Sequence, residues 1–187
     1  NAIRTQSVNT ISLNKGNLIG DNTDINGFEL SIRKINYDIR EKTILILGSG
    51  GVVPSIIFSL LRMKVSKIFL SNRTKEKANN LKEFFKEINV VNWGDLPDFD
   101  MIINATTLGL NKDDKFGIDF SQISQNKLFY DVIYSPYKTE FSEAANSKGN
   151  LSENGLNMFL FQGQQAFNIW HNVEPEINQE LIEFLKD

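Results

Sequence analysis

The chain has 187 residues, of which 41% are hydrophobic, enough for one full domain or two small ones with a proper buried core. A formal charge of -3 without any Lys/Arg block argues against a nucleic-acid surface and leaves small molecules as the expected partners. With no cysteine and a single His171, disulfides, thiolate nucleophiles and Cys- or His-rich metal sites are excluded, so no metal is expected. No apolar run approaches the roughly 20 residues that cross a bilayer, and no signal peptide is visible, so the expected location is cytoplasmic. Asn1 is not Met and "NAIRTQ" reads as the end of a helix, so further residues are expected upstream.

"SVNTISLNKGNLIG" alternates apolar and polar residues around Asn14-Lys15-Gly16-Asn17 and predicts a β-hairpin. "GDNTDINGF" follows, with Asp21, Asn22 and Asp24 set between glycines, and runs into a helix predicted from Phe28 to Ile35. On residue type alone Asp24 reads as the helix cap. An apolar run from Thr43 to Leu47, a glycine turn, and Ile56, Ile57, Leu60 and Leu61 at helical spacing then give strand, turn and helix. "VSKIFLS", "INVVNW", "FDMIINAT" and "KLFYDVIYS" supply four more strands, alternating with "KEKANNLKEFFKEI" and "KTEFSEAANSKG", the latter closed by Gly149. From Asn154 to Leu185 the chain reads as largely helical. Alternating strands and helices predict an α/β fold with a parallel sheet covered on both faces.

"LILGSGGVV" puts Gly48, Ser49, Gly50, Gly51 and Val52 between a buried strand and a helix start, where glycines let a pyrophosphate approach free backbone N–H groups. The pattern departs from G-x-G-x-x-G, because Val53 stands in the place of the third glycine. The next strand ends in "SNRTKEK". A ribose-binding Asp or Glu is absent there; Asn72, Arg73, Thr74 and Lys77 stand instead. A guanidinium suits a 2'-phosphate, so NADP is preferred over NAD.

In one order the segments "SVNTI", "GDNTDINGF", "GSGGVV", "SNRTKEKA", "INATTLGL", "YDVIYSPYKTEF" and "NGLNMFLFQGQQAF" make the chain resemble the shikimate dehydrogenase family. That resemblance implies a Rossmann-like NADP domain over residues 25–154, with residues 1–24 and 155–187 contributing part of a substrate domain. It implies NADPH-dependent reversible reduction of 3-dehydroshikimate to shikimate in aromatic (chorismate) biosynthesis. Asp24 then becomes the catalytic carboxylate, paired with a lysine of an N-V-T-x-P-x-K motif. No lysine among these 187 residues stands in that motif, so the activity of this stretch alone is in question. Asn9, Asp24, Tyr134 and Gln162 would meet the substrate. Asn104, Thr106, Val132, Gly155 and Met158 would join the glycine turn and the Arg73 segment around the cofactor. Gln6 and Asn157 occupy positions where the family usually has glycine, and Asn157 is the milder change because Asn tolerates positive φ. His171 receives no role.

Other readings stay open at this stage: a quinate/shikimate relative with looser cofactor choice, a folate-type dehydrogenase, which "NTDINGF" and "YSPYKT" fit poorly, or a nucleotide-binding module without catalysis. The partners implied are a small-molecule substrate and, as an open alternative, a second copy of the chain.

Overall fold

The computed structural model describes residues 2–111 and 113–186, so the expectation drawn from Asn1 lies outside the described residues. β3 (Thr43–Leu47) shows best why the chain folds as it does. Four of its five residues are buried, and its side chains alternate between two cores. Ile44 and Ile46 face one cluster with Phe28, Ile56 and Leu60, while Leu45 and Leu47 face another with Phe129 and Phe141. Such a strand must be covered on both faces, which is why it lies in the middle of a parallel sheet.

Around it run β4 (Lys67–Ser71), β5 (Ile88–Val91), β6 (Met101–Asn104), β7 (Leu128–Asp131) and β8 (Leu151–Glu153), in the order β5-β4-β3-β6-β7-β8 with every neighbour parallel. The chain runs outward from β3 to β5, then returns to β6 on the other side of β3. Open sheets bind ligands at the carboxyl ends of the strands flanking such a reversal. The crossovers are α3 (Val53–Arg62), α4 (Lys75–Phe84) and α5 (Glu140–Ser147). β8 was not expected from sequence: "LSE" is too short to show a period, and it forms only because β7 offers a free edge.

α2 (Asp24–Lys34) precedes the sheet and starts four residues earlier than the apolar spacing suggested. Its partner is α6 (Leu156–His171). Gly27 lets the two helices touch, since a Cβ there would lie 2.9 Å from both the Gln162 Cβ and the Met158 carbonyl oxygen. The Tyr130 hydroxyl, fully buried, lies 2.7 Å from the Ser31 Oγ and fastens α2 to β7.

β1 (Thr10–Asn14) and β2 (Asn17–Asp21) form the predicted hairpin, with Lys15 and Gly16 at φ 48° and 81°. Ile11, Leu13 and Leu18 are exposed on it, and Trp170 Nε1 donates to the Ile11 carbonyl to tie it to α6. A short α1 (Ala2–Thr5) precedes the hairpin and α7 (Gln179–Phe184) follows α6. Of the two departures from the family's glycines, Gln6 carries a positive φ of 49°, whereas Asn157 is an ordinary helical residue whose amide donates to Glu153. Tolerance of positive φ therefore has no bearing on Asn157; it is Gln6 that sits in the disfavoured region, where a non-glycine residue costs about 1 kcal/mol. Among the described residues no helix is long and apolar enough to cross a membrane.

Candidate active site

The glycine turn at the end of β3 is built by necessity at one position and left open at two. Gly48 has φ 106°, and a Cβ there would lie 2.5 Å from the Ala105 carbonyl oxygen, so only glycine lets β3 turn beside β6. At Gly51 a Cβ would meet nothing within 4 Å, and at Gly50 only the Ala105 oxygen at 3.9 Å. Those two leave their backbone bare toward a cleft. α3 begins here without a side-chain cap and with Pro54 in its first turn, so its positive end faces the same opening. Val53, where a third glycine was missing, is fully buried in the core, so the helix packs on the sheet through an isopropyl group.

A cleft of about 610 Å³ runs from this turn. One end is formed by Asn72, Arg73, Thr74 and Lys77, the other by Val132, Ile133, Tyr134 and Ser135. The Asn72 amide closes its loop by donating to the Thr74 carbonyl at 2.8 Å, which leaves Arg73 exposed on the rim. Lys75 is drawn aside, its ammonium 2.7 Å from Asn92 Oδ1, while Lys77 lines the cleft. Cations at the start of α4 oppose the helix dipole, a cost that an anionic ligand would offset.

The middle wall is the loop after β6: Ala105, Thr106, Thr107, Leu108 and Leu110. Thr106 holds its place because its N–H and hydroxyl both donate to Asn104 Oδ1, at 3.1 and 2.7 Å. Asn104 itself is wholly buried behind the wall. Gly155 is likewise off the cleft. A Cβ there would fall 2.0 Å from the Val132 carbonyl oxygen, so this glycine lets the chain before α6 press against the loop that carries Val132 and Tyr134. Met158 packs in the core beneath that loop and is 4% exposed. Trp93, Ala105 and Leu108 also line the cleft, although the sequence pattern marks Trp93 only as the tail of a strand.

Asp24 does not cap its helix. It is the first residue of α2, while the cap position falls to Thr23, whose side chain makes no capping bond. The Asp24 carboxylate instead accepts from the Asn9 amide at 2.8 Å. The same amide donates to Thr23 Oγ1 at 3.0 Å, the Thr23 N–H returns a bond to Asn9 Oδ1 at 2.9 Å, and the Thr23 hydroxyl donates to Gln162 Oε1 at 3.4 Å. Burial pushes the Asp24 carboxyl pKa above its ordinary value, and the Asn9 hydrogen bond offsets part of that rise. Asp24, Asn9 and Gln162, distant in sequence, are thus brought into one corner.

Two connections join this corner to the cleft. The Tyr134 ring stacks on Phe159 with centroids 4.3 Å apart, and the Gln162 amide donates to the Phe159 carbonyl at 3.0 Å. The buried Asn22 amide donates to Ser55 Oγ at 2.9 Å and to the Ser7 carbonyl at 3.0 Å, pinning the start of α3 to the segment that carries Asp24.

Residues 29–111 match the family model described as shikimate / quinate 5-dehydrogenase. Over 181 residues the chain is 50% identical to the shikimate dehydrogenase (NADP(+)) of Pelagibacter ubique, covering 97% of this chain and 68% of that protein. The crystal structure of shikimate dehydrogenase from Aquifex aeolicus is 35% identical and superposes with a TM-score of 0.86, covering 94% of this chain and 65% of that one. A Thermus thermophilus shikimate 5-dehydrogenase, solved with NADP(H) and shikimate, is 28% identical with a TM-score of 0.84, covering 94% of this chain and 66% of that one. The chain thus spans about two thirds of the length of these relatives. On the strength of these matches, the chain belongs to the shikimate dehydrogenase family.

Proposed function

We propose that the protein catalyses the reversible, NADPH-dependent reduction of 3-dehydroshikimate to shikimate. The observation that carries the reading is the continuity of the two regions: a dinucleotide-sized cleft whose far end, at Tyr134, is linked through Phe159 and Gln162 to a half-buried carboxylate held by an amide. The residues fit the cofactor. Gly50 and Gly51 leave room for a pyrophosphate beside the start of α3, and Arg73 with Lys77 suits a 2'-phosphate. The nicotinamide end falls to Val132 and Thr106. When bound, NADPH supplies the hydride for the carbonyl carbon.

The chain's own part is to place the substrate and move a proton. Asp24 would share a proton with a hydroxyl of the bound ring, and its raised pKa brings it nearer to the range in which a carboxylate exchanges protons. Asn9 fixes the orientation of that carboxylate. Gln162, which accepts from Thr23, and Tyr134, stacked on Phe159 one helical turn from Gln162, would bind further hydroxyls of the substrate. In this reading residues 1–24 and 155–187 form the substrate side and residues 25–154 the cofactor side.

The test is shikimate oxidation with NADP+, followed by nicotinamide absorbance, with NAD+ and quinate run in parallel. Turnover with shikimate and NADP+ that exceeds the other combinations supports the reading. NADPH binding without turnover of either substrate would favour a nucleotide-binding module instead, and equal rates with NAD+ would contradict the role given to Arg73.

A further inference from the structure

Asp131, at the end of β7, is 1% exposed, lies off the cleft wall and carries a carboxylate in a strand otherwise made of apolar and aromatic residues. A charged group so buried must be held by donors, and it is held by three. Oδ1 accepts from the Asn104 amide at 2.9 Å and from the Ile133 N–H at 3.1 Å; Oδ2 accepts from the Thr139 hydroxyl at 2.6 Å. Each donor belongs to a different piece of the cleft's frame.

Asn104 stands opposite Asp131 in the sheet and passes the restraint on. Its oxygen accepts from the N–H and hydroxyl of Thr106, while its amide also reaches the Leu108 carbonyl at 3.0 Å. Ile133 lies between Val132 and Tyr134, and its carbonyl accepts from the Gly155 N–H at 3.0 Å. Thr139 caps α5, and its Cβ and Cγ2 lie against Gly109 on the loop from β6. One carboxylate thereby sets the spacing between the loop after β6 and the loop after β7, the two walls between which the nicotinamide end of the cleft opens.

We infer that Asp131 is a positioning residue for the nicotinamide half of the cofactor. It acts through Asn104 and Ile133 on Thr106 and Val132, and has no part in holding the adenosine half, which lies at Arg73. This rests on the proposed NADP function, and the test separates the two. The affinities of the full chain for NADPH and for adenosine 2',5'-bisphosphate, which lacks the nicotinamide half, are measured by calorimetry for the unaltered protein, Asp131→Ala and Asp131→Asn. Failure of the unaltered protein to bind either ligand would overturn the NADP reading itself.

If it binds both, Asp131→Ala should weaken NADPH about tenfold and leave the bisphosphate within twofold. Asp131→Asn should weaken NADPH about threefold, because its oxygen still serves Asn104 and Ile133 while its amide forces the Thr139 hydroxyl to turn. A general loosening of the fold would weaken both ligands together, and that result overturns the inference, as does NADPH affinity within twofold of the unaltered protein in both variants. If Asp131→Ala does not fold, Asp131→Asn decides by the same criterion.

Discussion

Along the cleft from Gly48 to Arg73, the residues that line the open volume sit on the turns that follow neighbouring strands, all delivered by one parallel sheet. At Asp24, by contrast, side chains from the hairpin's approach, the start of α2 and the middle of α6 hold one another by hydrogen bonds. The first region is rigid because its strands are buried on both faces; the second is rigid only as long as Asn9, Thr23 and Gln162 keep their partners. Substitutions should therefore act differently in the two. In the cleft they should strain the fold or change cofactor choice, whereas in the corner they should remove chemistry and leave the fold standing.

The largest effect is expected at Asp24. Because its side chain makes no capping bond, Asp24→Asn keeps an oxygen for Asn9 and should change stability little, while kcat for shikimate falls by roughly 10² to 10⁴. Steady-state rates with parallel thermal melts check this; activity at the unaltered level would leave Asp24 with no chemical role. Next comes Gly48→Ala, which adds a Cβ 2.5 Å from the Ala105 carbonyl oxygen at a φ of 106°. A loss of about 2 to 4 kcal/mol in urea unfolding is expected. Gly51→Ala, whose Cβ would meet nothing within 4 Å, should cost far less stability; if the proposed pyrophosphate site is at this turn, calorimetry should show weaker NADPH binding, because the methyl group would occupy part of that space.

A smaller effect comes from the buried Asp131. Burial raises its pKa to about 6, against the lowering by hydrogen bonds from Thr139, Ile133 and Asn104, and no charged group is among the causes. A folded pKa above the unfolded value means that the stability contributed is complete below about pH 4 and is lost as pH rises through 6. Between pH 4 and 7 this loss amounts to at most about 3 kcal/mol, and Asp131→Asn should abolish it. Unfolding curves at the two pH values for both proteins measure the difference. A stability gap unchanged by the substitution would show that another group is responsible.

The cleft was more legible in the sequence than the corner, for a physical reason. Gly48 to Val52 and Asn72 to Lys77 are continuous stretches whose turn and charge chemistry is local, so their roles can be read where they stand. Asn9, Asp24 and Gln162 are separated by up to 153 residues, and residue type alone favoured a helix cap for Asp24; only the family resemblance suggested otherwise. Two positions held signals that went unused. Gly27 within a helix marks a close approach, here to α6, and an Asp inside "LFYDVIY" marks a buried carboxylate that needs partners. At Gly155 the structure supplies a packing reason for the glycine, because its missing Cβ makes room for the Val132 carbonyl. Trp93 offered no local signal, because its place on the cleft depends on how the loop after β5 packs, with its indole N–H on the Phe116 carbonyl.

The central claim is that the cleft is an NADP site with its phosphate end at Arg73. Calorimetric titration of the unaltered chain and of Arg73→Ala with NADPH and with NADH tests it most directly. The account predicts that NADPH binds the unaltered chain more tightly than NADH, and that Arg73→Ala weakens NADPH by about 1.5 to 3 kcal/mol while NADH stays nearly unchanged. Equal losses for both cofactors, or no preference for NADPH at the outset, would contradict it.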